Sequence, residues 1–567
     1  MRGARSMVLV LAAGVATAIV GACGSPGSKV RPDAPTYAGA ANVQSCEMVE
    51  GRHEPFLVDW RADKRGDLEA ALGKSVVVVE YDCKKLRVLP DCRAKGAYSF
   101  VALAEKEQLL RLESAEEIKA NLPLSGAKIS GSLGGELSRG STLDVAMAIV
   151  GKRMSPKPHV LRSELEGECE GATHFVRSAM VGAFAMRTGT RGAVRVAADL
   201  FGGSASAGSS SAEQIDNRDG SVEACRTVKP DADTPPAQCA APLRLELRAI
   251  RSEAPTAAAL GELADEVPRC PRGLVPVESG KCAVPSAGTT HLCSPEDPAD
   301  CGVQCEHGSL TSCSILGRSY MLGRGVPKDL ARAKALLGRA CDGDVAQACG
   351  RLGEIAFAEK DLARSKELLD RSCSAGWFTA CETLGKIALA VPGAKNLDAF
   401  SLFKRSCNAG DGEGCWGLGT LFSLGLGVRK SDSEAFTYFT RACDGGARLG
   451  CVSLSQALDE GRGTPPDAAA AARVLEGPCE RAYFEACRNL GMHYFQGRGV
   501  PRDPAKSTKL LERACEGGDG GGCLLLATQY LSGVNGVKRD EAKSNQYFTR
   551  ACALGVEPAC MQVQKKP

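Results

Sequence analysis

The residues best placed to do chemistry are the cysteines, 27 in a chain of 567. A cysteine can hold a metal, act as a nucleophile or pair with a second cysteine. Spacing separates these roles. Eight pairs sit eight residues apart: Cys305 with Cys313, Cys341 with Cys349, Cys373 with Cys381, Cys407 with Cys415, Cys443 with Cys451, Cys479 with Cys487, Cys515 with Cys523, and Cys552 with Cys560. Zinc sites use chelating turns such as Cys-x2-Cys, with a second half close by. A spacing of eight without paired histidines does not fit them, so the pairs read as disulfides. The six histidines, His53, His159, His174, His291, His307 and His493, include no zincin spacing. Gly131-Ser-Leu-Gly-Gly135 is not followed by the Lys-Ser/Thr of a phosphate loop. No metal, cofactor or catalytic residue is assigned.

The elements that must position these pairs repeat with them. The first cysteines of successive pairs are 36, 32, 34, 36, 36, 36 and 37 residues apart, a period that marks a repeat array. From Cys313 to Leu322 apolar residues recur at helical spacing. Gly323-Arg-Gly-Val-Pro327 breaks the helix, Asp329 suits an N-cap, and Leu330–Ala340 is amphipathic again. Leucine stands three residues after the second cysteine at Leu316, Leu352, Leu384, Leu418, Leu454, Leu490 and Leu526. Glycine follows it at Gly317, Gly353, Gly385, Gly419 and Gly491. A helical glycine costs about 1 kcal/mol against alanine, so its recurrence implies close backbone approach. Each staple would close a short loop, worth roughly 2 to 3 kcal/mol in the chain-entropy model.

These residues resemble the Sel-one-like repeat, a relative of the tetratricopeptide repeat, and most of all its bacterial cysteine-rich form. The resemblance covers residues 305–560. Residues 359–361, Val391-Pro-Gly393, Ser455 and Ala527 depart from its pattern. It implies stacked hairpins with a concave face lined by positions one, five and eight after the second cysteine. Those positions include Arg318, Glu354, Lys386, Trp416, Arg488, Met492 and Phe495. The cysteine-rich form is also associated with β-lactam binding and hydrolysis. The one Ser-x-x-Lys, Ser125-Gly-Ala-Lys128, lies outside the repeats on what reads as an extended stretch. Ser-Asp-Asn and Lys-Thr-Gly are absent.

At the N-terminus, Arg2 and Arg5 precede an uncharged apolar run, Met7 to Val20, ending in Gly21-Ala22-Cys23. This resembles the bacterial lipobox, which implies lipidation of Cys23. Gly24 favours the outer membrane in envelopes that sort by that position. Residues 1–22 then form a signal peptide and 23–40 a flexible tether.

Residues 41–250 read as a mixed α/β domain. Ser75–Tyr81, Tyr98–Leu103 and the alternating Leu243–Ile250 are strand candidates, and Ser114-Ala-Glu-Glu117 is a capping box. Gly202–Ser211 reads as flexible. Proximity pairs Cys83 with Cys92 and Cys225 with Cys239, leaving Cys46 and Cys169. Gly171-Ala-Thr-His-Phe175 resembles the Gly-Thr-His-aromatic signature of membrane-attack-complex/perforin domains. The region is too short for such a domain, and a buried strand with His174 bonded to a neighbour is the simpler reading. Residues 251–304, with Cys270, Cys282, Cys293 and Cys301, read as a Pro/Cys-rich linker or cap on the first repeat.

The expected fold is an α/β N-terminal domain followed by an all-α, disulfide-stapled α/α solenoid of about seven helical hairpins over residues 305–567. The net charge of +3 gives no reason to expect nucleic acid. The expected function is an envelope-anchored scaffold that binds a protein or peptide on its concave face, with cell-wall associated partners among the options. The alternatives are a β-lactam-binding hydrolase and a spacer between membrane and wall.

Overall fold

The computed structural model describes residues 52–567 apart from 83–84, 124–125, 192–196, 203–215, 230–231, 253–266, 272, 287–289, 392–397, 534–536 and 565–567. Cys23, Cys46, Cys83, Ser125 and most of the Gly202–Ser211 stretch therefore lie outside the described residues.

The N-terminal region is strand-rich and antiparallel. Helix α1, Ala62–Leu72, precedes β1, Val76–Asp82, β2, Lys85–Ala94, and β3, Ser99–Leu112. Helices α2, Ala115–Asn121, and α3, Gly126–Leu137, lead to β4, Ser141–Met154. Then come β5, Leu165–Gly167, β6, His174–Thr190, β7, Asp216–Asp219, and β8, Ala241–Ala249. Strand β6 is the spine. Along one edge it pairs first with β1 and then with β4; along the other it pairs with β8 and then β7. β3 extends the sheet beyond β4, and β2 and β5 extend it beyond β1.

Helices cover this sheet where its side chains are apolar. Leu68 and Leu72 of α1 bury with Trp60, Val77, Val79, Leu245 and Leu247. Ile118 of α2 and Leu133 of α3 bury with Leu110, Leu143, Phe184 and Leu243. In β8 the helices cover Leu243, Leu245 and Leu247, which are fully buried, while Glu246 and Arg248 are half-buried, as the expected alternation has it; buried Arg244 is the exception. Ser114 caps α2 by accepting from Glu117 N at 3.1 Å. The reciprocal half of the expected box goes elsewhere, because Glu117 Oε2 accepts from Glu113 N. His174 opens β6, and its Nδ1 lies 2.9 Å from Thr173 Oγ1.

The expected pairing of Cys83 with Cys92 is also corrected. Cys92 is bonded to Cys169, 77 residues away. The register of β1 on β2 slips between Val77 and Val79, and Cys92 pairs with Gly167 of β5 just before Cys169. Sheet pairing, not chain proximity, brings the sulfurs together. Cys225 is bonded to Cys239 as expected.

The helical half contains seven hairpins: Leu310–Leu322 with Leu330–Asp342, Ala346–Ala358 with Leu362–Ser374, Phe378–Ala390 with Ala399–Asn408, Gly412–Leu424 with Asp432–Asp444, Arg448–Glu460 with Ala468–Glu480, Phe484–Gln496 with Pro504–Glu516, and Gly520–Ser532 with Glu541–Ala553. Helix Pro298–Glu306 precedes them and Glu557–Gln564 closes the array.

All eight expected repeat disulfides are formed. Cys305 is bonded to Cys313, Cys341 to Cys349, Cys373 to Cys381, and Cys407 to Cys415. Cys443 is bonded to Cys451, Cys479 to Cys487, Cys515 to Cys523, and Cys552 to Cys560. Their Cα–Cα separations run from 4.3 to 4.9 Å. Within the array each ties the last turn of one hairpin to the first turn of the next. Cys349, Cys381, Cys487 and Cys523 each sit in the first turn of a first helix, and Cys560 sits in the closing helix. The staples therefore act in series, between units. Among the described residues no helix is long and apolar enough to cross a membrane.

The recurrent glycines have a steric cause. A Cβ on Gly317 would meet Leu337 Cγ at 2.8 Å, and one on Gly385 would meet Phe403 Cε1 at 2.7 Å. Both partners lie on the second helix of the same hairpin, so the missing side chain sets how closely its helices approach. Where Ser455 replaces glycine, its hydroxyl donates to the Ala471 carbonyl at 2.9 Å. Asp329 caps as expected, accepting from Arg332 N at 3.0 Å. In the second hairpin residues 359–361 replace the longer glycine loop, and Lys360 takes the left-handed conformation at φ 66°.

The linker is stapled too. Cys270 is bonded to Cys282, and Cys293 to Cys301. The second of these repeats the eight-residue spacing and belongs to the array as its cap. It buries against Leu316, beside Ile315 and Tyr320.

The two halves pack together. Val101 of β3 is buried in one cluster with Leu369, Phe378, Leu384 and Leu402 of the solenoid. Leu103 lies against Gly376. Arg441 Nη2 donates to Ser99 Oγ at 3.3 Å, and Lys404 Nζ lies 2.8 Å from Asp233 Oδ2. The solenoid residues involved cluster at the disulfide-bearing turns, the edge opposite the Gly-x-Gly loops.

Candidate functional site

A repeat array builds a surface from the element that every unit presents on the same side. Here successive first helices pack on one another, except those of the second and third hairpins, while second helices make their main contacts with the first helices that flank them. The first helices therefore form an inner row, and all seven candidate binding residues lie on first helices.

Arg488 and Met492 share one groove of about 370 Å³ between the first helices of the fifth and sixth hairpins. Val452, Gln456 and Asp459 form its opposite wall, with Asn489 and Gln496 beside the two candidates. Val452, Gln456 and Asp459 stand one, five and eight residues after Cys451, so the positional rule that singles out Arg488 and Met492 selects them too. The sequence reading does not name them. Arg488 Nη1 lies 2.9 Å from Asp519 Oδ2, and Asp519 caps the first helix of the seventh hairpin. This guanidinium is held in place by its own array. Asp459 is fixed by Arg498 Nη2 at 3.0 Å. Gln456 Nε2 donates to Glu460 Oε1 at 2.9 Å, whereas Met492 has no polar group to tie, and a flexible thioether adapts to varied apolar surfaces.

The other candidates are dispersed along the row. Glu354 accepts from Arg351 at 3.2 Å, and Arg351 lies over the Trp377 ring at 5.0 Å. Trp416 donates Nε1 to Ser453 Oγ at 3.1 Å and packs beside Phe439 and Leu454. It joins adjacent hairpins as much as it presents a surface. Phe495 is not on the groove wall. Arg318 is half-buried. Lys386 is exposed and ion-paired with Glu382 on the same helix, with Glu413 at 3.8 Å. Glu382 is buried, and that burial, with Asp411 nearby, pushes its carboxyl up to about 7 against the pull of Lys386.

Lys128 is exposed on α3, a helix where extended chain was expected. Among the described residues no group of three His, Cys, Asp or Glu side chains could hold a metal.

Stacked antiparallel hairpins with an inner row of first helices define an α/α solenoid of the tetratricopeptide kind. The Sel1 repeat family model matches residues 311–345, 412–446, 484–519 and 522–556. Similar solved structures include the protective antigen c5321 of uropathogenic Escherichia coli. It is 23% identical over 47% of this chain and 59% of its own, under two thirds of its length, with a TM-score of 0.38. A Sel1 repeat protein from Oxalobacter formigenes is 22% identical over 48% of this chain and 80% of its own, with a TM-score of 0.40. Helicobacter pylori cysteine rich protein B is 31% identical over 24% of this chain and 97% of its own, with a TM-score of 0.20. No curated protein matches the chain. Sel1 repeats are thus found in four stretches of the helical half, and Sel1 repeat proteins are generally protein-interaction scaffolds.

Proposed function

We propose that the protein is an envelope scaffold, lipid-anchored through Cys23, which captures a protein or peptide partner on the inner row of its first helices. The observation that carries this reading is the groove between the fifth and sixth hairpins. There the half-buried Met492 lines the groove, while Arg488, Asp459 and Gln456 are held in place around it by their own array. Pre-positioned charges beside an adaptable apolar residue suit a peptide ligand, because little ordering cost remains to be met on binding. The lipobox residues Val20-Gly-Ala-Cys23 support anchoring. The series of disulfides supports export, since such bonds persist in oxidising compartments.

Affinity capture from envelope extract on immobilised, oxidised full-length chain tests the binding site. Met492→Glu is expected to abolish capture of a defined partner and to leave the melting temperature within about 2 °C, as a surface change away from the core should. Equal loss of both would overturn the assignment. Palmitate labelling that survives Cys23→Ser would overturn the anchor.

A further inference from the structure

We infer that the N-terminal domain carries a second binding site, independent of the solenoid, for an extended polypeptide segment that alternates acidic and apolar residues. The site is the groove of about 1120 Å³ between α1 and β2. Its floor is apolar, formed by Trp60, Ala71, Leu86 and Val88. Its rim is cationic. Lys64, Lys74, Lys85, Arg87, Arg93 and Lys95 line it, against Asp67 and Glu166. The whole chain carries 70 basic and 67 acidic side chains, so this excess is local.

The cations are also short of partners. Arg93 and Lys95 share Glu166 at 3.6 and 3.4 Å, and Lys85 and Arg87 share Glu80. Among the described residues Lys74 has no carboxylate within ion-pairing distance.

The backbone supplies the second argument. On its inner side β2 pairs with β1, but on its outer side β5 pairs only with Cys92, Arg93 and Ala94. Among the described residues nothing pairs with the outer edge of Lys85–Leu89. The register slip opposite Val78 and the Cys92–Cys169 bond hold this segment as an open edge beside the groove.

A strand added there would satisfy the unpaired amides and carbonyls, as in strand-addition recognition. Side chains on the face shared by Leu86 and Val88 would meet the apolar floor. Those on the alternate face would meet Lys85 and Arg87, where opposite charges across a strand pair are stabilising. Helix α1, Ala62–Leu72, gives a wall about 16 Å long at 1.5 Å per residue, the length of a five-residue strand. A single anionic headgroup would leave most of it empty.

Basic residues and proline on an edge also discourage self-pairing, and the test separates that role from binding. A fluorescein-labelled peptide of alternating Glu and Val is titrated against full-length oxidised protein by anisotropy. Parallel arms use an alternating Lys and Val peptide, the acidic peptide N-methylated at alternate residues, and phosphatidylglycerol vesicles. The acidic peptide is expected to bind. Its affinity should fall at least tenfold in Lys74→Glu/Arg87→Gln and with N-methylation, and stay unchanged in Met492→Glu. The inference is overturned by no binding, by equal binding of the basic or N-methylated peptide, by indifference to the double substitution, or by preference for vesicles. It is overturned equally if the double variant self-associates while the wild-type chain binds no peptide, because the edge charges would then be protective only.

Discussion

The solenoid and the N-terminal sheet solve the same problem by opposite means. Each must hold together in a chain with few large aromatic side chains. The solenoid does so with bonds between near neighbours, eight residues apart and repeated unit after unit. The sheet does so with long-range contacts made once. Its disulfide Cys92–Cys169 closes a separation of 77 residues, and β6 gathers β1, β4, β7 and β8 around one strand. In a repeat array a bond stabilises one unit and its interface. In the sheet, one bond constrains a large share of the domain.

That contrast can be broken experimentally, and the largest effect should come from the sheet. Replacing Cys92 and Cys169 by alanine removes a long loop constraint, worth about 4.5 kcal/mol in the chain-entropy model. Replacing Cys407 and Cys415 should cost only about 2.6 kcal/mol on the same basis. Denaturant melts of the two double variants give the ordering, and a larger loss from the repeat pair would reverse the comparison.

A smaller effect concerns charge. The buried Glu382 keeps its proton to a higher pH in the folded chain, to about 7 against an ordinary value of 4.5. Its contribution to stability is therefore full below about pH 4.5 and is lost as pH rises through about 7. Glu382→Gln should stabilise the array at pH 8, on the order of 2 kcal/mol, and make no difference at pH 4. Melts at the two pH values check this, and a variant no more stable than the parent at pH 8, or stabilised as much at pH 4 as at pH 8, would contradict it.

Glycine gives the finest comparison, within one kind of element. Gly385→Ala drives a methyl to 2.7 Å from Phe403 and should cost about 1–3 kcal/mol. A Cβ on Gly338, also helical, would meet nothing within 4 Å. There alanine should stabilise by about 0.5–1 kcal/mol through helix propensity alone. Opposite signs in thermal melts are expected, and like signs would remove the steric reading.

The same contrast explains what could be read from the residues. The repeat was legible because each of its determinants is local. A cysteine fixes a turn, Gly317 or Gly385 fixes a close approach, and Asp329 fixes a helix start, all within one period. The cap disulfide Cys293–Cys301 follows the same spacing but stood outside the counted series. The walls of the groove between the fifth and sixth hairpins were half legible. Position after the second cysteine found Arg488 and Met492, and the same positions after Cys451 find Val452, Gln456 and Asp459. Nothing local pairs Cys92 with Cys169, because that bond depends on a register slip in β1 and β2 and on the placement of β5. The α1–β2 groove and the packing of Val101 on Phe378 are likewise products of sheet topology, in which residues far apart in the chain become neighbours.

The central claim is that partners are taken on the inner row of first helices. Site-specific photo-crosslinking tests it most directly, with a photoreactive residue at Met492 and, separately, at Lys509 on the second helix of the same hairpin. The account predicts one discrete crosslinked partner from position 492 and none from position 509. The same adduct from both positions, or from 509 alone, would contradict it.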